Sequence, residues 1–184
     1  MSGILALDMS KSNSGWAAWA PELARPASGS FQLGSSITDN GLMFARVHVR
    51  LAEIRTVVPF DIIVVEQPLQ PQAMGSATTF QTLYTLYGIC AHVESFAAAV
   101  GVRRVHLANQ GTWRSHFLKG MKRSPGVKND LKTLCKARCA ELGFRHRSSD
   151  EDEAFGILDY ACDREGITPP WRAHETLFPQ ELPR

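Results

Sequence analysis

The sequence predicts an α/β fold: a mixed five-stranded sheet, three antiparallel strands followed by parallel ones, with helices on both faces. Three observations carry this. Two continuous apolar runs, at 3–7 and in the β-branched "DIIVVE" at 61–66, have the length and composition of buried strands. Strand-like segments at 14–20 and 31–37 follow the first run closely, with Pro21, Pro26 and Gly29 punctuating a hairpin loop. Beyond residue 38, strand-like runs alternate with stretches of helical period, the spacing of parallel neighbours.

Each later element follows from its own residues. Thr38, Asp39 or Asn40 can cap a helix whose apolar positions Met43, Val47, Leu51, Ile54 and Val58 recur at helical spacing, and Pro59 ends it. A second helix is predicted over 76–100, capped by Ser76, and its Gly88 and alanines permit close helix–helix approach. "VRRVHL" at 102–107 reads as a strand, and helices cover 110–118, 127–142 and 150–165. The domain is thus expected over 1–165. Residues 166–184 hold four prolines and read as an extended surface tail.

The 184 residues suffice for one hydrophobic core, and 44% hydrophobic with 21% charged residues is ordinary globular composition. No apolar run approaches the roughly 18 residues that span a bilayer, so no membrane is expected. The N-terminus enters a strand without a basic leader, which makes a cytoplasmic chain the expectation. Cys90, Cys135, Cys139 and Cys162 form no paired CxxC units and are expected reduced. Cys135 and Cys139, with His146 and Cys162 nearby, do not match a standard zinc spacing and read as core thiols. No histidine stands in a triad or HExxH pattern.

Charge is unevenly placed. Twelve of the 20 Lys and Arg lie between Arg103 and Arg147, with only Asp130 and Glu141 opposing them. The remainder of the chain is acidic. That division suits a polyanion gripped on one side and cations held on the other, or simply a solvated basic face.

The acids show a pattern. Asp8 and Glu66 each end an apolar strand, and if those strands are neighbours both carboxylates emerge at one edge. Crowded like charges are costly there unless a cation lies between them. In "SSDEDEAFGILDYACD", at about 100° per residue, Glu153 lies about 60° from Asp150, on the stripe of Ala154, Ile157 and Ala161 that must face the sheet. Asp152, Asp159 and Asp163 fall on the opposite face and read as solvated acids. Four carboxylates on three elements suit a pair of hard divalent cations, the known clamp for phosphodiester hydrolysis.

In order and spacing, "ILALDMSKSNSGWA", "IIVVEQP" and "DEDEAFGILDYA" resemble the motifs of the RuvC family of Holliday-junction resolvases, whose fold is RNase H-like. Asp8, Ser10, Gly15 and Trp16 match the first motif, Glu66 and Gln67 the second, and Asp150 with Glu153 before Ala154 the third. The resemblance implies an endonuclease that resolves branched DNA, most simply a four-way junction, by paired nicks leaving 5′-phosphate and 3′-hydroxyl ends. It implies two Mg²⁺ per site, with Mn²⁺ as a substitute, on Asp8, Glu66, Asp150 and Glu153. Lys128 would be a further catalytic group beside the scissile phosphate, Lys119, Lys122, Arg123, Lys128 and Lys132 the DNA contacts, and the assembly a homodimer formed near the 76–100 helix. Departures fall mainly in the parts that read junction shape. Met9 and Ser10 replace a Pro and a Gly, Leu69 replaces an intruding aromatic, and "NQGTWRSHFLKGMKRSPGVK" replaces the family's Val-Thr-Gly-like stretch. Glu153 stands where the family has Asp, which leaves Glu151 or Asp152 open as the ligand instead. Phage-encoded relatives with a looser preference for branched DNA are the nearer picture. Two other readings are a nuclease acting on RNA or RNA–DNA hybrid and a catalytically weak junction-binding protein.

Overall fold

Side chains along the two central strands alternate between two cores, and that alternation organises the molecule. The computed structural model describes residues 3–68, 79–121 and 131–173. β1 (Ile4–Asp8), β2 (Ser14–Trp19), β3 (Ala27–Phe31), β4 (Ile62–Glu66) and β5 (Arg104–Ala108) form one sheet in the order β3-β2-β1-β4-β5. The first three strands are antiparallel, and β4 and β5 run parallel to β1. Leu5, Leu7, Ile63 and Val65 point to α1 (Asn40–Val57) and α2 (Phe80–Val100). Ile4, Ala6, Ile62 and Val64 point to α3 (Gln110–Phe117), α4 (Leu131–Glu141) and α5 (Ser149–Arg164). Burial on both faces explains why β1 and β4 are continuously apolar.

Local chemistry sets the helix boundaries. Asp39 caps α1 by accepting from the Leu42 amide, and Thr79 caps α2 by accepting from the Thr82 amide. The expected α2 start at Ser76 lies outside the described residues, as do the predicted first residues of α4. Gly88 meets the Phe44 ring across the α1–α2 contact, where a Cβ would come within 2.3 Å. The close approach expected of that glycine is therefore used within the chain.

Three expectations need correction. β3 spans 27–31 instead of 31–37, because β2 pairs from Ser14↔Phe31 to Ala18↔Ala27. Its sequence ASGSF has no apolar alternation, for this is an edge strand whose Gly29 lies under the Trp16 indole. The second correction concerns α2, 21 residues long, in which an 18-residue stretch reaches a mean hydropathy of 1.2, enough by length and composition to cross a membrane. Polar residues, Glu94 among them, interrupt its apolar run without lowering the mean below that of a span. Ile89, Val93, Phe96 and Ala97 pack it against α1 and the sheet.

The third correction concerns α5, which is covered on more than its sheet face, so Asp152 and Asp159 are each 2% exposed instead of solvated. Asp163 remains outside. Asp159 anchors the chain that follows α5. Trp171 inserts beside Trp19, Phe144 and Phe155, and its Nε1 donates to Asp159 Oδ1 at 2.8 Å. Arg172 donates to both carboxylate oxygens, and His116 Nε2 lies 3.2 Å from Oδ2. Burial alone would push this carboxyl up, but its bonds to Arg172, His116 and Trp171 bring it down to about 2. The expected surface tail thus begins with a buried anchor, and residues 174–184 lie outside the described ones.

α5 crosses β2 so closely that a Cβ on Gly15 would lie 1.9 Å from the Asp150 carbonyl oxygen. Gly15→Ala should therefore cost at least about 2 kcal/mol in urea denaturation, since backbone would have to move. Asp159 is depressed in the folded state, so its contribution is complete above its ordinary value of 3.8 and is lost as pH falls toward about 2. Arg172→Ala should cost about 3 kcal/mol at neutral pH by leaving that carboxylate buried without its guanidinium. Acid titration of the variant should also lack the loss of stability between those two pH values.

Candidate active site

β1 and β4 are parallel neighbours with Leu7 paired to Val65, so the next residues, Asp8 and Glu66, leave the sheet side by side. Both share the alternation of Ile4 and Ile62 and so emerge on the α5 side. Ser148 caps α5 through the Glu151 amide, and the glycine at position 15 lets the first turn lie on β2. Asp150 and Glu153, one turn apart, then meet Asp8. The three carboxylates offer oxygens all within 4.8 Å of one another. Glu66 stands beside Asp8 with Oε1 accepting from Gln110 Nε2 at 2.8 Å and Oε2 from Trp113 Nε1 at 2.9 Å. Each of its oxygens keeps a further lone pair.

Burial, followed by the charges of Glu66, Glu153 and Asp150, pushes the Asp8 carboxyl up to about 8. Glu66 is also raised by burial, against the bonds from Gln110 and Trp113 and the charge of Arg114. Cationic side chains offset part of this crowding. Lys132 Nζ lies 2.8 Å from Asp150 Oδ1 and 3.2 Å from Glu153 Oε2. Burial works against its charge, but those bonds hold the ammonium above the ordinary lysine value. Arg114 donates to Glu153 and lies over the Trp113 ring, and Asn13 donates to Asp150. Hard oxygen donors with excess negative charge fit a divalent cation, and the ammonium seated between two of them already marks a cation position.

The sequence-predicted acids therefore converge, with Asp8, Asp150 and Glu153 closest and Glu66 adjoining. The neighbouring acids of α5 turn elsewhere: Glu151 lies by Ser28 and Ser148, and Asp152 pairs with His146. Among the expected DNA contacts, Lys132 reaches the acids, Lys119 is exposed, and Lys122, Arg123 and Lys128 lie outside the described residues. Gln110, Trp113 and Arg114 were not foreseen. Their signal was the order of elements: β5 pairs Ala108 with Glu66, so a helix starting two residues later must turn its first side chains toward that glutamate. A cleft of about 170 Å³ opens beside Asp8, Glu66, Gln67 and Gln110, with Leu86 and Cys90 of α2 as its apolar wall.

No family model matches the sequence, and no curated protein matches it. Solved structures do. RuvC of Thermus thermophilus superposes with a TM-score of 0.65 at 17% identity, covering 91% of this chain and 99% of that one. The same protein in complex with a Holliday-junction substrate gives 0.63 at 15% identity, covering 92% and 99%. The yeast mitochondrial Holliday-junction resolvase Ydc2 gives 0.56 at 11% identity, covering 95% and 80%.

This chain has the RuvC fold. The expected RNase H-like sheet, with its three antiparallel strands followed by parallel ones, is the one observed. In this RuvC-like frame the acids gather where β1 meets both an antiparallel and a parallel neighbour, at the carboxyl end of the central strands.

Because the folded state raises Asp8, it holds a proton there that the unfolded chain releases near pH 4, so ion-free stability should fall as pH rises from about 4 to about 8. Asp8→Asn in EDTA should remove that slope and gain about 1 kcal/mol or more at pH 8, read by urea denaturation. A variant as pH-sensitive as the parent would contradict the crowding described.

Proposed function

We propose that this protein is a divalent-metal-dependent endonuclease that nicks branched DNA, with paired cuts in a four-way junction as its main reaction and 5′-phosphate and 3′-hydroxyl ends as its products. The meeting of Asp8, Asp150 and Glu153 within 4.8 Å, with Glu66 adjoining, supports this most strongly. The junction resolvases that share the fold supply the substrate class.

The four carboxylates are the groups that would hold two Mg²⁺, with Mn²⁺ as a substitute. Bound there, the ions supply an activated water and neutralise the leaving oxygen. The chain's own residues do the positioning. Gln110 and Trp113 fix the Glu66 carboxylate, Arg114 fixes Glu153, and Asn13 fixes Asp150. Lys132, half-exposed and bound to Asp150 and Glu153, can transfer its charge to an incoming phosphate. Lys119, Lys122, Arg123 and Lys128 would supply sequence-tolerant, salt-dependent grip on the flanking backbone, with Lys128 a further catalytic group by resemblance to RuvC. Exposed Phe80, Tyr84 and Tyr87, spaced along one side of α2, support a homodimer that brings two such sites to one junction.

Labelled four-way junction, fork, linear duplex and RNA–DNA hybrid, each incubated with Mg²⁺ and with EDTA, test the reading. Mg²⁺-dependent nicking of the junction ahead of the duplex and the hybrid is expected. Asp8→Asn should lower nicking by at least about 10³-fold while junction affinity in a gel-shift assay changes less than about threefold. Faster cutting of the hybrid would move the substrate to RNA, and full activity of the variant would refute the site.

A further inference from the structure

A second group of metal-binding side chains lies on the far side of the first turn of α5, and the proposed nuclease reaction makes no use of it. Cys139 comes from the last turn of α4, His146 from the connection that follows, and Asp152 from α5. Their ligand atoms, one sulfur, one imidazole nitrogen and one carboxylate oxygen, all lie within 4.8 Å of one another. Cys139 and Asp152 are buried, and His146 is the member nearest solvent. His146 Nδ1 is 2.9 Å from Asp152 Oδ1, and its ring is held parallel to Phe144, with Phe155 also against it.

We propose that Cys139, His146 and Asp152 form a structural Zn²⁺ site that ties α4, the 142–148 connection and α5 together. The donor set is mixed and of the borderline-soft kind that zinc prefers, unlike the all-oxygen group around Asp8. Tetrahedral bonds of about 2.0–2.3 Å require donors about 3.3–3.7 Å apart, so shifts of no more than about 1.5 Å bring every pair here into place. A thiolate and a carboxylate balance the ion's two charges, so the filled site is neutral, as burial demands. Without the ion, the Cys139 thiol keeps its proton and makes a weak 3.7 Å contact to the Asp152 carbonyl oxygen. Zn²⁺ would displace that proton to solvent as the Zn–S bond formed, and a water on the His146 side would complete its four ligands. The consequence reaches the nuclease site, because Asp152 lies between Asp150 and Glu153 on the same turn.

The full chain is treated with EDTA, reloaded with Zn²⁺ alone, desalted, and assayed for metal by mass spectrometry. About one zinc per chain should survive in the parent and in Asp8→Asn, which separates this site from the carboxylate cluster. Cys139→Ser and His146→Gln should retain at least about tenfold less. Chelation should lower the Tm of the parent and leave that of Cys139→Ser unchanged. Cobalt in place of zinc provides a readout on the unmutated protein: a thiolate-to-cobalt charge-transfer band in the near ultraviolet is expected. Less than about 0.1 zinc per chain in the reloaded parent, undiminished zinc in Cys139→Ser, or cobalt bound without that band would overturn the assignment.

Discussion

Asp8, Asp150 and Glu153 meet in a part-buried space where ionising any one of them raises the energy of the others, and much of the surrounding structure can be understood as what holds them there. The strands cannot turn them away, because alternation and register commit Asp8 and Glu66 to the α5 face. The helix cannot either, since Asp150 and Glu153 ride on its packed side. Asn13, Gln110, Trp113, Arg114 and Lys132 all donate into the group. A folded chain that concentrates charge this way is strained toward any cation that enters.

The helix carrying half of those acids is held from every side. Sheet residues lie beneath it, α3 and α4 flank it, and Trp171 with Arg172 closes over its far end. Such enclosure cuts most of its polar residues off from bulk water, so each of those must find a partner, while Asp163 stays outside. Asp159 finds Arg172 and Asp152 finds His146. A buried carboxylate is tolerable only with such a partner, and the partner then fixes where the neighbouring chain must run.

What could be read in the sequence followed how local each signal was. Two apolar strands ending in acid, and two acids one turn apart on an apolar stripe, are short patterns, and they led to Asp8, Glu66, Asp150 and Glu153. The burial of Asp152 and Asp159 was hidden because a helical wheel assumes one wet face, and here the opposite face is covered by chain far along the sequence. β3 was hidden because an edge strand of small residues lacks the alternation that marks strands. Gln110, Trp113 and Arg114 needed the pairing of β5 with β4 before their proximity to Glu66 could be seen. The basic loop remained a matter of composition.

Where α5 crosses β2, two main chains touch with nothing but a hydrogen of Gly15 between them. Elements usually pack through side chains that absorb small errors in packing. Here the peptide that carries Asp150 rests directly on the strand that pairs with Asp8, so sheet and helix share one datum. The distance between two acids on separate elements is thereby set by atomic radii, and drift elsewhere in the core has little leverage over it.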